Sequence, residues 1–330
     1  MLAQSLSIGI IAVLGLTSVH IFGHLIMNTI PSVGFIGLGL MGHAMAKQLI
    51  KAGYLLCIHS RTASKAEPLV ALGATYAQTP VQLAKIVKNN IIIVCVTDST
   101  ALEDVMLGEQ GLLSHIDPGC LVIDMGTSRF DLTQTLAKQA QAQGAHFLDA
   151  PVSGGQIGAQ QGTLSIMAGG HPAQLERAQP LFNAMAKQTT HVGGNGCGQL
   201  AKTANQMIVG ATLNIVAEAL FLAKKNGADP AKVRAALGGG FADSKILQLH
   251  GQRMVDRAFT PGARATTQLK DLQQAADLAQ SCELNLPLNQ ACLSQWQAMV
   301  DADLGGLDQA GILAWVELTN EQKWLKIADS

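Results

Sequence analysis

The sequence predicts an α/β domain on a doubly wound parallel sheet, followed by an all-helical domain. Three observations predict it. Short continuous apolar runs alternate with helix-like stretches up to about residue 150, a pattern that suits strands covered on both faces. A glycine-rich turn, Gly37-Leu38-Gly39-Leu40-Met41-Gly42, stands between the first of these runs and the first helix. Beyond Gly193 the apolar spacing is helical to the end of the chain.

Taken in order, the candidate strands are Val33–Ile36, Leu55–His59, Ile91–Val96, Leu121–Asp124 and His146–Asp149. Helices are predicted at 41–52, 63–72, 80–88, 99–107 and 129–143. A strand Leu164–Ala168 and a helix 172–187 follow. Gly193-Gly194-Asn195-Gly196 forms a turn, and Gln199–Lys225 reads as one long helix, stopped by Gly227-Ala228-Asp229-Pro230. Helices at 231–237, 244–257, 266–281, 287–301 and 307–325 complete the chain. The expected division is an apolar leading segment over 1–31, a nucleotide-binding domain over 32–193, and a connecting helix plus helical domain over 194–330.

Composition narrows the function. The 330 residues make about two domains at ~150 residues each. A formal net charge of −1 offers no basic surface for nucleic acid, and 48% apolar residues argue against disorder. The first charge is Lys47, and Leu6–Met27 is mostly apolar and long enough to span a bilayer. No positive residue precedes it, as a signal peptide would require, and Gly9, Gly15, His20, Gly23 and His24 interrupt it. Three readings fit: an upstream extension from a misassigned start, with Met27 as the start; an uncleaved anchor; or a poor signal peptide. The first is preferred, so membrane association is not expected, although anchoring through residues 6–27 stays open. The six cysteines form no Cys-x-x-Cys pair and no zinc pattern, which suits a reducing, cytoplasmic setting and implies no metal.

The glycine-rich turn has the setting in which its mechanism works. Gly37 allows a tight turn, Gly39 lets backbone approach a pyrophosphate, and Gly42 packs helix on strand, while the helix start offers N–H groups to the phosphates. At the end of the second strand an acidic residue would bind the ribose hydroxyls of NAD. Ser60-Arg61-Thr62 stands there instead, with Lys65 close by, and suits the 2′-phosphate of NADP. NADP(H) is therefore favoured, with NAD(H) as the alternative; Arg61 and Lys65 would otherwise be solvated surface charges.

Lys202 is the one charge between Lys187 and Glu218. It lies near a helix N-terminus, against the macrodipole, with Asn205 and Gln206 on its own face. An ammonium and a carboxamide together could serve one substrate oxygen in proton transfer; a snorkelling surface lysine is the rival reading. Asp149-Ala150-Pro151-Val152-Ser153-Gly154-Gly155 follows an apolar strand, where a hydroxyl and two exposed glycine amides could hold a small carboxylate. Alone, the stretch would read as a structural turn.

In this order, Val33–Gly42, Asp149–Gly155, Gly194–Lys202 and Lys270-Asp271-Leu272 resemble the β-hydroxyacid dehydrogenase family over about residues 32–325. The resemblance implies a Rossmann-type domain and a helical domain like that of 6-phosphogluconate dehydrogenase. It implies Lys202 as the catalytic lysine, aided by Asn205 or Gln206, and Ser153, Gly154 and Gly155 around the substrate. It places Val96, Thr97 and Thr127 at the cofactor, with Lys270 reaching back to cofactor and active site. Lys202-Thr203-Ala204-Asn205-Gln206, Gly239–Ser244 (with Phe241 at the substrate) and His250–Met254 resemble the family's tartronate semialdehyde reductases. Ser60-Arg61-Thr62 is more like its NADP-using glyoxylate or succinic semialdehyde reductases. The expected activity is hydride transfer between NADP(H) and a small 3-hydroxyacid or semialdehyde, foremost 2-hydroxy-3-oxopropionate to D-glycerate. The alternatives are 3-hydroxyisobutyrate, L-serine, or glyoxylate and succinic semialdehyde as substrate, and a catalytically silent NADP-binding protein. The small-residue helix Ala201–Ala223 suggests a homodimer or homotetramer.

Overall fold

The computed structural model describes residues 33–87 and 91–328, with side chains through residue 321. The leading segment 1–31, and with it the choice of Met27 as the start, lies outside the described residues.

The first half opens with strand β1 (Val33–Ile36), helix α1 (Leu40–Lys51), β2 (Leu56–His59), α2 (Glu67–Val70), β3 (Thr75–Tyr76), α3 (Pro80–Val87) and β4 (Ile91–Val94). It continues with α4 (Ser99–Leu107), β5 (Leu121–Asp124), α5 (Phe130–Ala142), β6 (His146–Asp149), β7 (Val152–Ser153), α6 (Gly155–Gln161), β8 (Leu164–Gly169), α7 (Pro172–Met185) and β9 (Ala186–Gly193). The strands lie in the order β3-β2-β1-β4-β5-β6-β8-β7, with β9 pairing β8. From β3 to β6 all are parallel. Alternate residues feed two cores: Phe35, Ile58, Ile93, Ile123 and Leu148 on one face, Ile36, Cys57, Ile92, Val122 and Phe147 on the other. That two-sided burial is why the strands read as unbroken apolar runs. Winding reverses between β1 and β4, and there the carboxyl ends of the strands leave a crevice.

Several boundaries differ from the sequence expectation. The sheet is not wholly parallel, because β8 runs antiparallel to β6 and β7. The segment 63–72 is a 3₁₀ turn, Ala63–Lys65, and the one-turn helix α2 rather than one helix. Strand β4 ends at Val94, though Cys95 N still donates to Ile36 O at 2.8 Å. The helix predicted to reach 187 stops at Met185, and the Thr- and Val-containing stretch after it is β9. The short elements β3, β7 and α6 were not expected; pieces of two to seven residues carry too few positions for periodicity to register.

The second half is helical throughout: α8 (Cys197–Lys225), α9 (Pro230–Leu237), α10 (Lys245–Val255), α11 (Ala265–Ser281), α12 (Pro287–Met299) and α13 (Ile312–Ala328). Its core gathers Leu213, Leu220, Met254, Leu272, Trp296 and Met299. The helix predicted to run to 301 ends at Met299, and a wide turn at Val300–Leu304 places Asp303 at φ 59°. The helix predicted from 307 begins at Ile312, because Asp308 instead accepts from the N–H groups of Gly262, Ala263 and Ala310 and ties three segments together. By length and composition α8 alone, among the described residues, could cross a membrane. Its 29 residues instead run from the sheet into the helical core.

Candidate functional site

The loops at the carboxyl ends of the central strands build the crevice. After β1, Gly37 adopts φ +98°, and a Cβ there would lie 2.2 Å from Cys95 O. A Cβ on Gly42 would lie 1.9 Å from Gly37 O, so the first turn of α1 sits directly on this loop. Gly39 has nothing within 4 Å of its absent Cβ and caps α1 with no side-chain bond. The first N–H groups of α1, at Leu40, Met41 and Gly42, therefore lack intrahelical partners beside open space. Leu38 is buried beneath and Leu40 is 54% exposed. Free N–H groups beside open space at a helix start are the geometry that suits an anion such as a pyrophosphate. At the end of β2, Ser60 is buried while Arg61, Thr62 and Lys65 are exposed, and neither Arg61 nor Lys65 has an ion-pair partner among the described residues. The residues fit a dinucleotide, with exposed cations at the end of β2.

Two buried carboxylates organise the far side. Asp124 ends β5, and its oxygens accept from Gly126 N at 2.9 Å, Ser128 Oγ at 2.7 Å and Gln199 Nε2 at 3.2 Å. Burial pushes its pKa up to about 6, and neighbouring Asp149 adds to the rise. Asp149 ends β6 in register with Asp124 and accepts from Gly196 N at 2.8 Å and Gln199 N at 2.9 Å. It thereby caps the start of α8, although burial raises its pKa above the ordinary value. Backbones meet closely here: a Cβ on Gly198 would lie 2.5 Å from Met167 O.

One turn along α8 from Gln199 stands Lys202, 8% exposed. Its Nζ donates to Val152 O at 2.9 Å and to Gln206 Oε1 at 3.0 Å. Burial lowers its pKa to about 8; Asp271 opposes the fall and Lys270 adds to it. Asn205 Nδ2 also donates to Gln206 Oε1, at 2.7 Å, and Asn205 Oδ1 accepts from Ser153 Oγ at 3.3 Å. Gln206 Nε2 donates to Asp271 Oδ2. From α11, Lys270 Nζ donates to Thr127 O at 3.1 Å and Thr97 O at 3.4 Å, and lies 3.0 Å from Asp271 Oδ1. Val96 and Thr97 follow β4, and Thr97 Oγ1 donates to Asp98. Gly154 and Gly155 both have positive φ, 133° and 62°, and Gly155 has open space at its Cβ position.

The structure therefore brings Lys202, Asn205, Gln206 and Ser153 into one hydrogen-bonded group, joined through Asp271 to its ion-pair partner Lys270, which ties in Thr97 and Thr127 through their carbonyls. Phe241 is not brought in: it stands fully exposed in the loop between α9 and α10. Sequence reading gave no role to Asp124, Asp149, Gln199 or Asp271. The available signal was an aspartate closing each of two apolar strands, where an exposed strand end would not require one. Chemically, the group offers a buried ammonium, a hydroxyl and carboxamides within hydrogen-bond reach of one another.

Comparison with known proteins agrees. Residues 32–193 match the NAD binding domain of 6-phosphogluconate dehydrogenase, and residues 196–316 match the domain described as NAD-binding of NADP-dependent 3-hydroxyisobutyrate dehydrogenase. The 2-hydroxy-3-oxopropionate reductase of Escherichia coli is 42% identical over 88% of this chain and 99% of its own length. The NAD-dependent L-serine dehydrogenase of Pseudomonas aeruginosa is 35% identical over 81% of this chain and 92% of its own. The crystal structure of 3-hydroxyisobutyrate dehydrogenase from Salmonella typhimurium superposes with a TM-score of 0.79 at 27% identity, covering 86% of this chain and 99% of that one. The chain belongs to the 3-hydroxyisobutyrate dehydrogenase-related family of β-hydroxyacid dehydrogenases, nicotinamide-dependent oxidoreductases acting on CH–OH groups.

Proposed function

We propose that the protein is a tartronate semialdehyde reductase, converting 2-hydroxy-3-oxopropionate to D-glycerate with NADPH. The observation that carries the chemistry is Lys202 Nζ, buried and held between Val152 O and Gln206 Oε1 with a pKa near 8. The 42% identity to the E. coli reductase supports this choice of substrate.

When bound, the nicotinamide supplies the hydride. Lys202 gives its proton to the aldehyde oxygen as that oxygen becomes a hydroxyl, and takes the proton back in the reverse direction. Asn205 and Gln206 orient the ammonium. Ser153 Oγ and the backbone N–H groups of Gly154 and Gly155 receive the substrate carboxylate. Gly37–Gly42 hold the pyrophosphate, and Ser60, Arg61, Thr62 and Lys65 receive the 2′-phosphate. Val96, Thr97 and Thr127 line the cofactor, and Lys270 fastens α11 over it.

The test is a panel of tartronate, succinic and methylmalonate semialdehydes, glyoxylate, L-serine and 3-hydroxyisobutyrate, each run with NADPH/NADP and NADH/NAD. A kcat/KM for L-serine or 3-hydroxyisobutyrate tenfold above that for tartronate semialdehyde would overturn the substrate. The cofactor has its own test. Arg61→Ala should lower kcat/KM for NADPH by about 30-fold, roughly 2 kcal/mol for one charge-assisted phosphate contact, and leave NADH within threefold. Equal losses with both cofactors would remove Arg61 from the 2′-phosphate.

We further propose a homodimer or homotetramer in the cytoplasm. Ile208, Ile215 and Leu222, seven residues apart on α8, are each more than half exposed, and such a stripe suits a second subunit. All six cysteines are free, as a reducing compartment would keep them. Sedimentation at the 34.5 kDa of one chain would count against association.

A further inference from the structure

We infer that Gln199 is a positioning residue of the reaction, setting the register between the turn after β5 and the lysine on α8. The inference rests on the reading of Lys202 as the proton donor.

Gln199 is 1% exposed, and both ends of its amide are in use. Nε2 donates to Asp124 Oδ2 at 3.2 Å and to Gly126 O at 3.1 Å. Oε1 accepts from Ser128 N at 3.1 Å. Its own backbone N–H donates to Asp149 Oδ2 at 2.9 Å. One residue thus grips the turn that carries Thr127 at two backbone atoms, and it joins the carboxylates that end β5 and β6.

Lys202 is three positions on, so it shares a helix face with Gln199. Any slide of α8 along that turn would carry Lys202 with it. Asp149 fixes the start of α8 to β6, whereas the Gln199 side chain ties it to the turn that carries Thr127. Lys270 reaches Thr127 O from α11 and makes no hydrogen bond to α8 among the described residues. Gln199 is the direct side-chain link found between the β5–α5 turn and α8 among the described residues. A misplacement of about 1 Å at a reacting group can cost ~10²-fold in rate, so a link of this kind has kinetic weight.

The charged groups facing this amide are Asp124 from β5, Asp149 from β6 and Lys270 from α11. A glutamate at the same place would mimic the amide only while one carboxyl of the facing pair holds a proton. It could then donate to Asp124 and accept from Ser128 N; with both ionised, the two carboxylates would repel.

The experiment uses the full chain with tartronate semialdehyde, or the best substrate of the panel. It measures steady-state kinetics from pH 6 to 8, fluorescence titration with NADPH, and Lys202→Met in parallel. Gln199→Met should lower kcat at least tenfold and leave the NADPH Kd within threefold. Gln199→Glu should recover, its kcat relative to the parent rising at least tenfold from pH 8 to pH 6. A kcat within threefold of the parent in Gln199→Met would show that the residue only fills space and would overturn the inference. So would a Kd that weakens as much as kcat falls, which would place its effect in the cofactor pocket. Should Gln199→Met fail to fold, Gln199→Glu decides alone, and a flat ratio across the pH range overturns the inference. Full activity in Lys202→Met would instead remove the reading of Lys202, an outcome separate from any of these.

Discussion

Replacing Lys202 by methionine should lower kcat at least ~10²-fold in either direction, while the NADPH Kd stays within a few-fold. The side chain is buried, so methionine, similar in length and unable to donate, keeps the packing and removes the proton. Its Nζ contacts a carbonyl and a carboxamide, not the glycine-rich loop, which is why cofactor binding should survive. The parent enzyme's pH profile should carry the same group. Burial has lowered the pKa to about 8, so the ammonium needed for reduction is lost as pH rises through that value. kcat/KM for reduction should therefore fall above pH ~8, and kcat/KM for oxidation should rise through the same range to a plateau. These two limbs run in opposite senses because one direction needs the donor and the other the acceptor. Unchanged turnover in the variant, or limbs of the same sense, would move the proton transfer to another group.

Much of this site could be read in the sequence, and the parts that could not share a physical cause. Gly37, Gly39 and Gly42 were legible because a fixed chemical task sets their spacing. Lys202 stood out because it is the one charge between Lys187 and Glu218, near the start of a long, mostly apolar helix. Asp149 was visible as the residue that opens the Asp149–Gly155 turn but was given no role of its own; its side chain turns back to cap α8, accepting from an N–H forty-seven residues later in the chain. Gln199 and Asp271 carried no local signal, since their partners lie on other elements and only folding brings them together. Phe241 entered through resemblance alone, and none of the described residues covers it. The missed strands β3, β7 and β9 are short or largely exposed, so neither alternation nor an apolar run marks them. Patterning thus revealed residues whose role depends on their own segment, and hid those whose role is to join two segments.

Asp308 is such a joining residue, and removing it should cost the helical half a substantial part of its stability. It is fully buried, and its carboxylate lies 2.5 Å from Arg253 Nη1 and 3.5 Å from His250 Nδ1. It also accepts from Gly262 N at 2.9 Å, Ala263 N at 3.3 Å and Ala310 N at 3.1 Å. Asp308→Ala leaves these backbone donors and a guanidinium without an acceptor. Unpaired buried partners of this kind cost about 3–5 kcal/mol, and the partly exposed Arg253 recovers some of that from water, so about 3 kcal/mol is expected. All three tryptophans, Trp296, Trp315 and Trp324, lie in the helical half, so intrinsic fluorescence in urea reports that half alone. Its unfolding midpoint should fall clearly at pH 7. The pH dependence has a definite sign. Burial alone would raise the Asp308 pKa, but His250, Ala310 N, Arg253 and Gly262 N together hold it well below the ordinary 3.8. A depressed acid stabilises the fold above its unfolded value and loses that contribution as pH falls below it. The gap between parent and Asp308→Ala should therefore be full at pH 7 and shrink once pH drops below about 4. A gap under about 1 kcal/mol at pH 7, or one that widens in acid, would show that the three segments are held by the surrounding apolar core rather than by this carboxylate.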